Sequence, residues 1–400
     1  MNPYLDQLNE FTFTRLARLL STVQPPQNLK PINLSIGEPK HPTPQFIRDT
    51  FAQNTAGLAQ YPPTKGSLEL RSTIADWVKA RYHLPALNPE TQLLPVVGTK
   101  EAIYSFTQTV INPRAANPTV LVPNPFYMVY EGAAMLCGAH PYYVNLDAST
   151  GRYAWDAIPE SVWRDVQLVL VCSPDNPTGF ITSRERWQWL FEQSDRYGFV
   201  ILADECYSEI YFDEGRAPVG ALQVAADTGR TDFKRLVSMG SLSKRSNAPG
   251  LRSGFAAGDA EIIAKFLHLR SFNGSAMAGP VAAASIAAWK DEAHVVANRA
   301  EYAKKFRELT PLLAKHMAVT MPEAAFYWWV PIPERFNGDD AAFTQALYGA
   351  TGVTVIPGSY LSRVDARGVN PGSGYIRIAL VSQFDECYEA VNRICNFLSE

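Results

Sequence analysis

Six short apolar runs alternate with helical patterns between residues 93 and 257, and this alternation constrains the fold more than any other feature. The runs are Leu93-Val97, Thr119-Val122, Gln167-Cys172, Phe199-Ala203, Arg235-Met239 and Gly254-Ala257. Lys100-Thr109, Met128-Leu136 and Ser183-Tyr197 carry helical spacing between them. Strands that are apolar throughout need cover on both faces of their sheet. Strand–helix alternation makes that sheet mainly parallel. The last run follows a loop with no helix, which lets it enter antiparallel.

The flanking segments read differently. Thr12-Leu20 places Phe13, Leu16, Ala17 and Leu20 on one helical face, and Pro25, Pro26 and Pro31 then impose an extended arm. Phe46-Ala52 and Ser67-Tyr82 read as helices, the second opened by Ser67 as N-cap. Ala278-Lys315 reads as one Ala-rich helix joining two lobes. Beyond it come strand-like runs at Ala325-Val330, Val353-Ile356 and Tyr375-Leu380, and a closing helix at Phe384-Leu398. These patterns predict a large lobe over 46–285. A smaller α+β lobe takes 286–400 and packs against the N-terminal arm, 1–45.

Composition narrows the function. The chain has 400 residues, 46% of them hydrophobic, enough for two cores. A net charge of −3 without a basic tract gives nucleic acid and anionic membranes nothing to bind. No stretch approaches the ~18 uninterrupted apolar residues of a membrane span. Met1-Glu10 is polar and acidic, unlike a signal peptide, so a cytoplasmic location is expected. Five cysteines without a C-x-x-C and six histidines without H-E-x-x-H offer neither a disulfide framework nor a metal set. Gly372-Ser373-Gly374 lacks the third glycine of a dinucleotide fingerprint.

The segment from Ser241 to Gly254 carries chemistry. Ser241, Ser243, Lys244 and Arg252 fall within twelve residues, just past a strand end. A lysine amine condenses with an aldehyde, while hydroxyls and a guanidinium suit a phosphate. Pyridoxal 5'-phosphate (PLP) has both groups, although Ser-x-Ser-Lys is also ordinary loop chemistry. Four clusters at other strand ends match what PLP needs. Asp204 closes an apolar strand and suits the protonated ring nitrogen; it equally suits an N-cap. Asn176, in Asn176-Pro177-Thr178-Gly179, and Tyr207 suit the phenolate oxygen, though the first lies in turn chemistry. Thr99 and Lys100 open a helix whose amides suit phosphate, or simply form a capping turn. Tyr127 suits stacking on the ring, or core packing.

Together and in this order, S-x-S-K with P-G-L-R-x-G, D-x-x-Y and N-P-T-G resemble the class I/II aminotransferases of PLP fold type I. The resemblance runs from Leu34-Ser35-Ile36-Gly37-Glu38-Pro39 to Arg377. It implies a mainly parallel seven-stranded sheet in the large lobe. Lys244 resembles the lysine bound to the cofactor, Asp204 the ring-nitrogen partner, and Asn176 and Tyr207 the phenolate donors. Ser241, Ser243, Arg252 and the Thr99 and Lys100 amides resemble the phosphate cup, and Tyr127 the stacking ring. Arg377 resembles the clamp on the substrate α-carboxylate, and Gly37 the arm glycine that touches substrate. Tyr61, in Tyr61-Pro62-Pro63-Thr64-Lys65-Gly66, resembles a tyrosine reaching the phosphate of a neighbouring subunit, which implies a homodimer.

Asp204-Glu214 and Ser271-Met277 resemble the N-succinyldiaminopimelate aminotransferases of bacterial lysine biosynthesis. That implies transfer between glutamate/2-oxoglutarate and N-succinyl-2-amino-6-oxopimelate. Transamination of aspartate, alanine or an aromatic amino acid is the nearest alternative, and a PLP-dependent C–S lyase a further one. A sensor built on the same fold would need a DNA-binding module, for which the chain has no room.

Overall fold

In the computed structural model, which describes residues 1–399, the apolar runs become neighbours in one eight-stranded sheet. Across it the order is Leu93–Val96, Gly254–Gly258, Leu236–Ser241, Val200–Asp204, Val166–Cys172, Thr119–Asn124, His140–Asp147 and Arg152–Tyr153. The strands from Leu236–Ser241 through His140–Asp147 are mutually parallel. Gly254–Gly258 runs antiparallel to both its neighbours, as its helix-free connection allows.

Successive side chains leave a strand on opposite faces. Val169, Val171, Ile201 and Ala203 therefore join helices Leu68–Tyr82, Arg184–Tyr197, Ala221–Asp227 and Gly279–Lys290 in one core. Leu168, Leu170, Leu202 and Val237 join Thr99–Val110, Val129–Leu136 and Ala260–Asn273 in another. This two-sided burial is why the strands read as unbroken apolar runs. Helix starts follow the sequence: Ser67 Oγ accepts from the Leu70 amide at 3.2 Å and Ser183 Oγ from the Arg186 amide at 3.2 Å.

Three elements differ from the reading. Counting the two-residue edge strand Arg152–Tyr153 brings the sheet to eight strands rather than seven. His140–Asp147 was not among the apolar runs, because so short a neighbour leaves its first residues partly exposed and polar residues are tolerated there. The expected helix over 278–315 is two helices, Gly279–Lys290 and Ala293–Leu313. Asp291 is extended between them, and its carboxylate accepts from the His294 amide at 3.0 Å, capping the second helix. Arg245, buried beside Lys244, donates to the carbonyls of Ala288 at 2.8 Å and Asp291 at 3.2 Å, filling the break.

A second core lies beyond the break. Tyr327–Pro331, Tyr375–Ala379 and Ile356–Pro357 form an antiparallel sheet, covered by Ala293–Leu313, Asp340–Thr351 and Phe384–Ser399. The N-terminal arm joins it: Ile32–Asn33 pairs in parallel with Val353–Thr354, and Ile32 and Leu34 are buried in this core. Among the described residues no helix is long and apolar enough to cross a membrane. Asn124, Cys172, Asp204 and Ser241 end their strands at one edge of the large sheet, the carboxyl edge where such folds bind ligands.

Candidate active site

A cavity of about 490 Å³ opens at that edge, between the large sheet and the second core. Its walls bring together Gly37, Thr99, Lys100, Tyr127, Asn176, Asp204, Tyr207, Ser243, Lys244, Arg252 and Arg377. Ser241 sits behind the wall as N-cap of the Leu242–Arg245 turn, its Oγ accepting from the Ser243 amide at 3.0 Å. Tyr61 does not line the cavity of its own chain and is fully exposed.

Lys244 follows directly from the strand Leu236–Ser241, so the sheet fixes its backbone. Its Nζ donates to the Gly37 carbonyl at 2.6 Å. Burial pushes its pKa down to about 8, because an enclosed ammonium loses hydration. Asp204 ends the neighbouring strand and is buried. Its carboxylate accepts from the Tyr130 hydroxyl at 2.7 Å and from the Cys206 amide at 3.3 Å. Burial nonetheless raises its pKa, and a cationic ring nitrogen beside it would reverse that penalty.

On another wall, Arg377 donates through Nη1 to Asn176 Oδ1 at 2.7 Å and through Nη2 to the Ser35 carbonyl at 2.6 Å. Its Nε is buried without a partner. The Tyr207 and Tyr327 hydroxyls lie 2.9 Å apart. On the opposite side, the helix Thr99–Val110 points its free amides at the cavity from Gly98, whose φ is +88°. The Ser241 and Ser243 hydroxyls are 2.9 Å apart, and Arg252 reaches over Gly98. A Cβ at position 98 would strike the Arg252 guanidinium, whose Cζ lies 2.6 Å from that point.

Hydroxyls, helix amides and a guanidinium suit a phosphate. A buried carboxylate suits a ring nitrogen, and an amine of lowered pKa suits an aldehyde. This donor set fits PLP, and on this fold it defines a PLP-dependent enzyme. The sequence pattern of the family aminotransferase class I and II matches residues 30–394, and the chain belongs to that family, whose members use PLP.

Among its relatives, an LL-diaminopimelate aminotransferase of Nitratidesulfovibrio vulgaris is 32% identical over 370 residues, 91% of each chain. An LL-diaminopimelate aminotransferase of Dehalococcoides mccartyi is 31% identical over 92% of each chain. The structure of an aminotransferase from Neisseria meningitidis superposes with a TM-score of 0.94 at 44% identity, covering 99% of this chain and 100% of the other.

Several residues in and behind the wall were not singled out in the sequence. Tyr130 lies in the first turn of the helix Val129–Leu136 and reaches Asp204 from behind the wall. Tyr327 was only one residue of the strand-like run Ala325-Val330. Phe11, Phe13 and Glu38 reach the cavity only because the N-terminal segment folds back across it, which no local pattern reveals.

Proposed function

We propose that this aminotransferase moves an amino group between glutamate/2-oxoglutarate and N-succinyl-2-amino-6-oxopimelate. The observation that carries the substrate is the apolar part of the cavity lining, Phe11, Phe13, Phe126 and Met128, with the Lys100 ammonium 5.3 Å from the Phe11 ring centroid. Among the described ion pairs Lys100 takes no part. A methylene chain ending in carboxylates, with no distal ammonium, suits that surface. The resemblance of Asp204-Glu214 and Ser271-Met277 supports the same substrate.

A specific observation favours a second reading, free LL-diaminopimelate. The relatives above carry that name, and Glu38 is the cavity-lining acid besides Asp204, a carboxylate that a second ammonium on the substrate would need.

Bound PLP supplies an electron sink for charge released at the substrate α-carbon. The protein's groups then have defined tasks. Arg377 orients the substrate α-carboxylate with its planar guanidinium, leaving the α-hydrogen toward Lys244. Lys244 Nζ removes that proton, and a pKa lowered to about 8 keeps part of it in the free-base form near neutrality. With PLP bound, Asp204 would hold the proton on the ring nitrogen, and Asn176 and Tyr207 would donate toward the phenolate oxygen. Ser241, Ser243, Arg252 and the Thr99 and Lys100 amides would hold the phosphate, and Tyr127 would be the residue to stack on the ring. Tyr61, exposed on its own chain, would serve the cavity of a second copy.

Single-turnover absorbance changes of the PLP-loaded enzyme with a panel of amino donors test the substrate. N-succinyl-LL-diaminopimelate should react fastest. Faster reaction of free LL-diaminopimelate, lost in Glu38→Gln, would establish the second reading instead.

A further inference from the structure

We infer that Tyr327 is a positioning residue, fixing the direction in which the Tyr207 hydroxyl donates. The inference rests on the proposed role of Tyr207 at the phenolate oxygen. Tyr327 is 1% exposed and Tyr207 7%, and their hydroxyls lie 2.9 Å apart. Among the described residues neither hydroxyl has another hydrogen-bond partner. Each carries one proton, so one hydroxyl donates to the other and the acceptor keeps its own proton for a third group.

The surroundings decide which is which. The Arg377 guanidinium lies 4.4 Å over the Tyr327 ring. A cation on that face draws charge from the ring and makes its hydroxyl the better donor. Tyr207 instead meets Phe326 edge-on, with centroids 5.3 Å apart. Tyr327 therefore donates to Tyr207, and the Tyr207 proton points into the cavity. Donation in series strengthens the outer bond.

Gly37 belongs to the same device. The Tyr327 hydroxyl occupies the space a Cβ at position 37 would take, with ring Cζ 2.7 Å from that point. The arm thus needs a glycine for Tyr327 to reach Tyr207, a reason independent of substrate contact.

The test is a pH titration of the absorbance of PLP bound to Lys244. A donor at the phenolate oxygen favours the form that has lost its proton, so weakening the donor raises the midpoint. Tyr207→Phe should raise it most. Tyr327→Phe should raise it by a smaller step of about 0.2–0.6 pH unit, the share one cooperative donor adds to a charge-assisted bond. In the Tyr207→Phe background, Tyr327→Phe should add nothing. Gly37→Ala, which crowds the hydroxyl without removing it, should mimic Tyr327→Phe and likewise vanish in that background. An unchanged midpoint in Tyr327→Phe, or a shift that persists without the Tyr207 hydroxyl, overturns the inference. No shift in Tyr207→Phe overturns the role of Tyr207 itself, and the inference with it.

Discussion

Gly98→Ala separates backbone strain from cofactor binding. Gly98 holds φ +88° and ψ 149°, a region nearly closed to L-residues. Forcing alanine there costs about 1–3 kcal/mol. The added methyl also meets the Arg252 guanidinium, with Cζ 2.6 Å away. Arg252 is exposed and tied by Nη1 to the Pro249 carbonyl at 2.8 Å, so the side chain rather than the helix should give way. Its departure removes a charge-assisted hydrogen bond from the phosphate, worth about 1.5–3 kcal/mol. The PLP dissociation constant should therefore rise about 10- to 150-fold. The strain alone should lower the cofactor-free melting temperature by about 1–4 °C for a chain of this size. Absorbance titration of cofactor-free protein with PLP reads the first effect, and calorimetry the second. Gly98→Ala should add little to Arg252→Ala in the titration, since both remove the same contact. Binding within about twofold of the wild type would refute this account of the cup.

Three further outcomes follow from the site. Lys244→Met should abolish turnover yet stabilise the cofactor-free protein below pH 8. The folded lysine has a pKa lowered to about 8, so between about pH 8 and 10.5 the unfolded chain binds the extra proton and wild-type stability rises with pH. The gap between variant and wild type, about 3 kcal/mol at pH 7, should close toward pH 10.5 in urea denaturation. Asp204→Asn should retain PLP but slow the half-reaction by at least about 100-fold in single-turnover assays, since the ring nitrogen loses its charge partner. Arg377→Lys should raise KM for the amino donor by about 10- to 100-fold, because an ammonium cannot reproduce the bidentate grip on a carboxylate. An unchanged KM would remove Arg377 from that role.

The large sheet was legible because burial on both faces forces each strand to be apolar throughout, as Leu168 through Cys172 shows. The groups gathered at its carboxyl edge, Lys244, Asp204, Asn176 and Thr99, were legible for a related reason: each ends or follows a strand the pattern had placed. What escaped depends on distant partners. The break at Asp291 has no proline or glycine to mark it; Arg245, 46 positions earlier, completes it through long-range hydrogen bonds. His140–Asp147 escaped because the two-residue edge strand beside it covers only its end, which relaxes the demand for apolar residues over the rest. Phe11, Glu38 and Tyr327 reach the cavity through the arm and the second core, so no short window of sequence shows their proximity.

Arg245 gives the break at Asp291 a wider meaning. The residue beside the reactive lysine clasps the end of one connecting helix and the residue that caps the next. The two connecting helices are thereby held to the turn that carries Lys244. An engineer who softened the joint to widen substrate entry would also loosen the seat of Lys244, so reach and reactivity would change together.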